Sequence, residues 1–282
     1  MNAEVTAGVL YVVATPIGNL GDLSSRAVET LSRVSRVAAE DTRRTRGLLT
    51  HLGLSKPIDR LDAHASASDV ARVIERLASG EHIALVTDAG TPVVSDPGTD
   101  LVRAAADAGV RIVPIPGPSA VLAALVASGL SGGAFRFLGF LPRKGVDRRE
   151  ALETVRSTPE VVVLFESPER TAETLADLAR IMPDRRAVVA RELTKVHEEF
   201  VRGSLGELAQ LTRDREMLGE VTIVLGPREN VDTPVMSDEE MDRLIDAELG
   251  RGRRPRDVAD EVALVSGRSK REVYTRVIER KR

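Results

Sequence analysis

The stretch Ile83-Ala-Leu-Val-Thr-Asp88-Ala-Gly90-Thr-Pro92-Val-Val-Ser-Asp96-Pro97-Gly98 decides the reading of this chain. Residues 83–87 read as a buried strand, an acidic loop rich in Gly and Pro follows, and a helical pattern starts at Thr99. A simple turn needs only about two to five residues. A long, stiff loop at the carboxyl end of a strand is where α/β proteins hold ligands.

Outward from that loop the same rhythm repeats. Apolar runs at 9–14, 36–40, 83–87 and 111–115 alternate with helical patterns at 24–33, 66–78 and 99–108. Unbroken apolar strands are covered on both faces, as in a parallel sheet. The first unit is therefore an α/β domain. Pro114-Ile-Pro116-Gly117-Pro118 makes a stiff connector. A domain boundary is placed there, giving domains 1–116 and 117–228. In the second, a helix at 119–128 precedes strands at 135–141, 161–166, 187–192 and 221–225. The alternation in Phe135-Arg-Phe137-Leu-Gly-Phe140 predicts a mixed sheet. Residues 230–234 read as a linker, and 235–282 as a small helical appendage. In it, Ser237 caps one helix and Ser269-Lys-Arg-Glu272 opens another.

Composition excludes several chemistries. With no Cys among 282 residues, disulfides, thiolate zinc sites and Cys nucleophiles are absent. The four histidines, His51, His64, His82 and His197, lack paired spacing, so no metal site is expected. There is no G-x-x-x-x-G-K-[ST] phosphate loop, no G-x-G-x-x-G after a strand and no G-x-S-x-G elbow. The longest apolar run, 120–127, is too short to span a membrane, and the first residues lack a basic leader. A soluble cytoplasmic protein is the expectation. Residues 248–282 hold 11 Lys/Arg against 6 Asp/Glu, a net +5, which leaves −8 for the rest of a chain of net −3. Such asymmetry suggests an anionic partner, or a solvated helical surface.

Six strand-end loops could carry chemistry. Ala14-Thr-Pro16-Ile-Gly18-Asn-Leu-Gly21-Asp22 lets a ligand approach the backbone closely. Ala39-Glu-Asp41-Thr-Arg43-Arg44 is either a helix cap with local ion pairs or a functional acid pair. The others are 83–98, Pro116-Gly-Pro-Ser119-Ala120, Phe165-Glu166-Ser-Pro-Glu-Arg170 and Arg191-Glu-Leu193-Thr-Lys195-Val-His197-Glu-Glu199.

Taken in order, these loops resemble the tetrapyrrole methylase superfamily, and within it the bacterial 16S ribosomal RNA cytidine-2′-O-methyltransferases. The resemblance spans about residues 9–226 and includes Gly139-Phe-Leu-Pro-Arg-Lys144 and Gly219-Glu-Val-Thr-Ile-Val224. One departure is Leu61-Asp-Ala-His64-Ala65, where the family usually carries a His-rich stretch and only His64 remains. The resemblance implies two α/β domains with S-adenosylmethionine bound between them, and a homodimer. Pro16, Gly18, Asp88, Ala89, Gly90, Thr91, Val93, Ser119, Ala120, Phe165, Leu193, Val221 and Thr222 would hold the cofactor.

The implied chemistry is methyl transfer to a ribose hydroxyl, for which a base would help. Asp41, Glu166 and Lys195 are the candidates. The implied partner is 16S rRNA or the small ribosomal subunit. Arg43, Arg44, Arg143, Lys144, Arg148 and Arg149 would meet its phosphates, or else form a solvated surface. Two rivals stand beside this reading: a methylase of a tetrapyrrole or corrin precursor, and a non-catalytic RNA-binding protein.

Overall fold

The computed structural model describes residues 8–62, 64–130, 133–213, 215, 217–228, 236–266 and 268–281. The chain divides into two compact units, one ending at Pro227 and one starting at Arg228. Among the described residues, no helix is long and apolar enough to cross a membrane.

The first unit opens with β1 (Val9–Val13), a 3-10 turn (Leu20–Asp22), α1 (Ser25–Arg33), β2 (Arg36–Ala39), α2 (Thr42–His51), β3 (Ile58–Arg60), α3 (Ala67–Ala78), β4 (Ile83–Val86), α4 (Thr99–Asp107) and β5 (Arg111–Ile115). The five strands form one parallel sheet in the order β3-β2-β4-β1-β5. The central strand β4 is apolar and buried throughout because each of its faces feeds a different core. In β4, Ile83 and Leu85 enter the core packed by α3 and α4, while Ala84 and Val86 enter the one packed by α1 and α2. The four expected strands are all present. The expected pattern lacked β3, which has only three residues, and α2, whose Thr-Arg-Arg-Thr-Arg-Gly start hides the helical period.

A second sheet follows in the same unit. Its elements are α5 (Ala120–Ser128), β6 (Phe135–Phe140), α6 (Gly145–Ser157), β7 (Val161–Glu166), α7 (Pro168–Ile181), β8 (Arg186–Arg191), β9 (Glu199–Ser204), α8 (Leu205–Arg213) and β10 (Val221–Leu225). The order is β6-β7-β10-β8-β9; β6 and β7 run parallel and the other pairs antiparallel. The expected mixed sheet is thus observed, with β9 added. One face buries Val162, Leu164 and Ile223 with residues of α6, α7 and α8. The other buries Val161, Val163 and Val224 against α5, with Ile17 and Ala89 from the strand-end loops of the first sheet. That shared core joins the two sheets.

The second unit holds α9 (Asp238–Gly250), α10 (Pro255–Ser266) and α11 (Lys270–Lys281) around Met241, Ile245, Val258, Val262, Val273 and Val277. Ser237 and Glu240 form a reciprocal capping box, and the Glu272 N–H donates to Ser269 Oγ at 3.3 Å. The linker read at 230–234 lies outside the described residues. The basic character read for the tail is largely spent within this unit. Arg276 pairs with Asp242, Arg280 with Asp242 and Asp246, Arg268 with Asp238 and Glu272, and Arg253 with Glu248 and Glu261. Residues 236–282 together carry 12 Lys/Arg against 11 Asp/Glu, a net +1.

Leu164 has no solvent exposure and lies at the centre of the β7 core. Leu164→Ala should lower the unfolding free energy by about 2–5 kcal/mol in a urea titration.

Candidate active-site cavity

The central strands β1 and β4 end side by side, so their following loops emerge together. Thr15 and Gly90 tie them with two backbone hydrogen bonds, Thr15 N–H to Gly90 O at 2.8 Å and Gly90 N–H to Thr15 O at 3.0 Å. The Thr15 hydroxyl adds a bond to the Thr87 carbonyl at 3.0 Å. Gly90 holds φ +86, and a Cβ there would press on Ile17 at 3.3 Å. The loop then runs toward the second sheet. The Thr91 hydroxyl donates to the Pro118 carbonyl at 3.2 Å. Val93 and Ser95 sit at φ +74 and +60. A β-branched residue at positive φ is an outlier held only by its surroundings, and such strain gathers at functional sites. A second strained pair, Glu192 (φ +51) and Thr194 (φ +66), lies in the loop after β8.

Between these loops and the second sheet lies a cavity of about 370 Å³. That is within the usual size of a small-ligand site, roughly 300–1,000 Å³. Eight of the residues read as cofactor-holding line it: Ala89, Gly90, Thr91, Ser119, Ala120, Phe165, Val221 and Thr222. Ile17, Val94, Ser95, Asp96, Phe140, Glu166 and Glu220 are also in its wall. Asp96 and Phe140 stand inside motifs already visible in the sequence. Glu220 stands in the quoted segment 219–224, but nothing in the sequence marks its side chain as a cavity group.

Five cofactor candidates lie outside that lining. Leu193 is buried in the core beneath it, and Val93 packs toward the α3–α4 side. Gly18 lies against the Lys195 side chain. Pro16 and Asp88 line a separate pocket of about 310 Å³ with Arg44, Leu48 and His51. The Asp88 carboxylate accepts from the Asp41 N–H at 3.0 Å and faces Arg44 at 3.6 Å, so it braces the start of α2.

The three base candidates are all engaged. Asp41 caps α2; the Arg43 guanidinium, then the Arg43 N–H, hold its carboxyl at about 2. Partial burial pulls the Lys195 ammonium down, but the hydrogen bonds and charges of Glu192 and Glu220 outweigh it and hold Lys195 above the usual lysine range. Lys195 therefore stays protonated, 2.8 Å from Glu192. The Glu166 side chain has no exposure and accepts from the Ser167 N–H at 2.9 Å and the Thr174 hydroxyl at 2.7 Å, with Arg170 at 3.4 Å. Asp96, in the cavity wall, behaves otherwise. Burial, reinforced by the charge of Asp88, pushes the Asp96 carboxyl above the usual aspartate range. Burial and then the charges of Asp88, Asp96 and Asp62 raise Glu40 in the same way. Among the described residues no group of three or more His, Asp or Glu is arranged to hold a metal.

The arginines divide. Arg143, Lys144 and Arg149 are exposed, with no ion-pair partner among the described residues. Arg43 and Arg44 are exposed beside Asp41 and Asp88. Arg148 corrects the reading of it as a phosphate contact. It is buried, paired with Asp177 at 2.8 Å, and bonded to the Thr174 hydroxyl and the Pro142 carbonyl. Arg170 bonds the Leu141 carbonyl at 2.8 Å. Glu166, Thr174, Arg148 and Arg170 thus clamp the chain that leaves β6.

Removing the cation from this clamp leaves Asp177 with only the exposed Arg180 and takes the Arg148 bonds from the Pro142 carbonyl and the Thr174 hydroxyl. Arg148→Ala should cost about 1–3 kcal/mol in chemical unfolding. Arg143→Ala, exposed and unpaired, should change stability by under about 0.5 kcal/mol.

The family of Tetrapyrrole (Corrin/Porphyrin) Methylases matches residues 9–209. The chain is 48% identical over 223 residues to ribosomal RNA small subunit methyltransferase I of Xylella fastidiosa, covering 78% of this chain and 82% of that one. It is 37% identical over 279 residues to the protein of the same name from Bacillus subtilis, covering 97% and 95%. A solved cobalt precorrin-4 methyltransferase matches with TM-score 0.60 at 20% identity, over 77% of this chain and 94% of that one. Uroporphyrin-III C-methyltransferase of Thermus thermophilus, complexed with S-adenyl homocysteine, matches with TM-score 0.55 at 20% identity, over 78% and 97%. These two matches share the fold. The chain belongs to the tetrapyrrole (corrin/porphyrin) methylase family, in the branch of ribosomal RNA small subunit methyltransferase I.

Proposed function

We propose that this protein is an S-adenosylmethionine-dependent methyltransferase of small-subunit ribosomal RNA, acting on the 2′-hydroxyl of a cytidine in 16S rRNA. The observation that carries the reading is the cavity beneath the tied strand-end loops, with the unpaired cations Arg143, Lys144 and Arg149 nearby in the chain. It joins similarity to relatives named as ribosomal RNA small subunit methyltransferase I, one of them matched over 95% of its length.

The residues of the cavity suit the cofactor. Its volume is right, Gly90 lets a ligand approach the backbone, and the apolar side chains of Ile17, Phe165 and Val221 suit a flat base. Ser119, Ala120 and Val121 stand at the start of α5, whose free N–H groups suit a carboxylate. S-adenosylmethionine, when bound, supplies an electrophilic methyl group. The protein's part is to position the ribose hydroxyl and take up its proton. Asp41, Glu166 and Lys195 are tied to other groups in the structure. Asp96 lines the cavity with a raised proton affinity, so we assign it the proton. Two lobes, 1–116 and 117–228, a cytoplasmic site of action and a homodimer complete the reading. The dimer is supported by α5, which shows Leu122 and Val126 to solvent one turn apart, Val126 at 77% exposure.

A methylase of a tetrapyrrole precursor is the second reading, favoured by the folds of the solved neighbours. Labelled S-adenosylmethionine should be offered with under-modified small subunits, with free 16S rRNA and with a tetrapyrrole precursor. Label in a 2′-O-methylcytidine is the expected result; label only in the tetrapyrrole replaces this reading with the second. Asp96→Asn should lower kcat by about 10²–10⁴-fold. It should leave cofactor affinity by calorimetry nearly unchanged. In the parent enzyme kcat should rise with pH through a carboxyl pKa above the usual aspartate value, and the variant should lose that limb.

A further inference from the structure

Three of the five phenylalanines of this chain meet at one wall of the cavity. Phe137 and Phe165 stand edge to face with centroids 4.9 Å apart, and Phe140 meets Phe165 at 5.6 Å with planes tilted by 57°. Phe140 is the outermost, 55% exposed and part of the cavity lining.

A break in register puts it there. Along β6, Phe137 pairs with Val163, but Gly139 pairs with Leu164 and Phe140 with Phe165. Leu138 is the extra residue. Successive side chains in a strand alternate faces, so one inserted residue flips all that follow. Without the bulge Phe140 would join the face that carries Val162 and Leu164. With it, Phe140 shares the face of Val163 and Phe165. The bulge needs Gly139, which holds φ +64 and whose Cβ would lie 2.8 Å from Ser95 Oγ. The strained Ser95 backbone of the loop after β4 meets the bulge at that point.

Beyond Phe140 the chain is held rigidly and its charges are free. Arg170 and Arg148 bond the Leu141 and Pro142 carbonyls. Arg143 and Lys144 are exposed and have no acidic partner among the described residues. An aromatic face beside a site, followed by unpaired cations, is the pairing that binds single-stranded nucleic acid: a ring for the base and cations for the phosphates.

We infer that Phe140 is the stacking platform for the unpaired base of the target nucleotide, and that Arg143 and Lys144 take the adjoining phosphates. The inference rests on the rRNA methyltransferase reading. It makes Phe140 a positioning residue that presents the ribose to the cavity.

The test uses the full-length protein with under-modified 16S rRNA, comparing Phe140→Ala, Phe140→Tyr, Phe140→Leu and the pair Arg143→Ala, Lys144→Ala. Phe140→Ala should raise the KM for RNA about 5- to 150-fold, the range of losing one base–aromatic stack. The melting temperature should stay close to that of the parent, and any loss of cofactor affinity by calorimetry should be far smaller than the rise in the KM for RNA. Phe140→Tyr should restore the KM and Phe140→Leu should not. The double variant should make the plot of log affinity against log salt shallower by roughly 0.7 for each phosphate lost. An unchanged KM in Phe140→Ala, full rescue by leucine, or weakened cofactor binding with normal RNA binding would each overturn the stacking role. Failure of the parent protein to methylate any RNA would instead overturn the functional reading, and this inference with it.

Discussion

The two hydrogen bonds between Thr15 and Gly90 are the constraint from which the cavity follows. β1 and β4 are the central neighbours of the parallel sheet, and their exits must satisfy backbone groups that no further strand will pair. The bridge does so by tying one loop to the other. The tied loop cannot leave sideways, so it crosses to the second sheet, where Thr91 meets Pro118 and Ser95 meets Gly139. Positive φ at Val93 and Ser95 is a consequence, at about 1–3 kcal/mol per residue. The shared core of Ile17, Ala89, α5 and the β7–β10 face offsets that cost by apolar burial. A wall with two anchored edges is already shaped before a ligand arrives.

The opposite wall uses charge to the same end. Glu166 is a buried carboxylate with three partners, and a buried charge persists only when it is paired. Its partners lead through Thr174 to Arg148 and through Arg170 to the Leu141 and Pro142 carbonyls. The motif that ends β7 therefore fixes the motif that ends β6. Residues that look like catalytic acid and RNA-facing cation in a linear reading are parts of one clamp.

The parallel sheet was legible because strands buried on both faces must be apolar at every position, and 83–86 is so throughout. The loops at their ends were legible because Gly, Pro and Asp have few other uses there. Of the residues read as cofactor-holding, those contributed by backbone-led loops, such as Gly90, Thr91 and Ala120, line the cavity. Asp88 and Leu193 belong to the same ring of loops, but their side chains turn away, toward α2 and the core. α2 and β9 escaped because their residues carry little hydrophobic periodicity; packing against the sheet sustains them rather than local pattern.

By itself, then, the sequence determined the α/β class, most strand positions and the ring of strand-end loops, since these follow from short-range apolar patterning and backbone preference. The tertiary structure alone decided which charges are free. Arg148 is consumed by Asp177, and Arg276 and Arg280 by acids more than thirty residues away in the chain, so a tail of apparent +5 sits in a helical segment, residues 236–282, of net +1. It also decided that Phe140 faces the cavity, through a single bulged residue. Charge availability and side-chain facing depend on which groups the fold brings within a few ångströms, and neither sequence spacing nor composition encodes that distance directly.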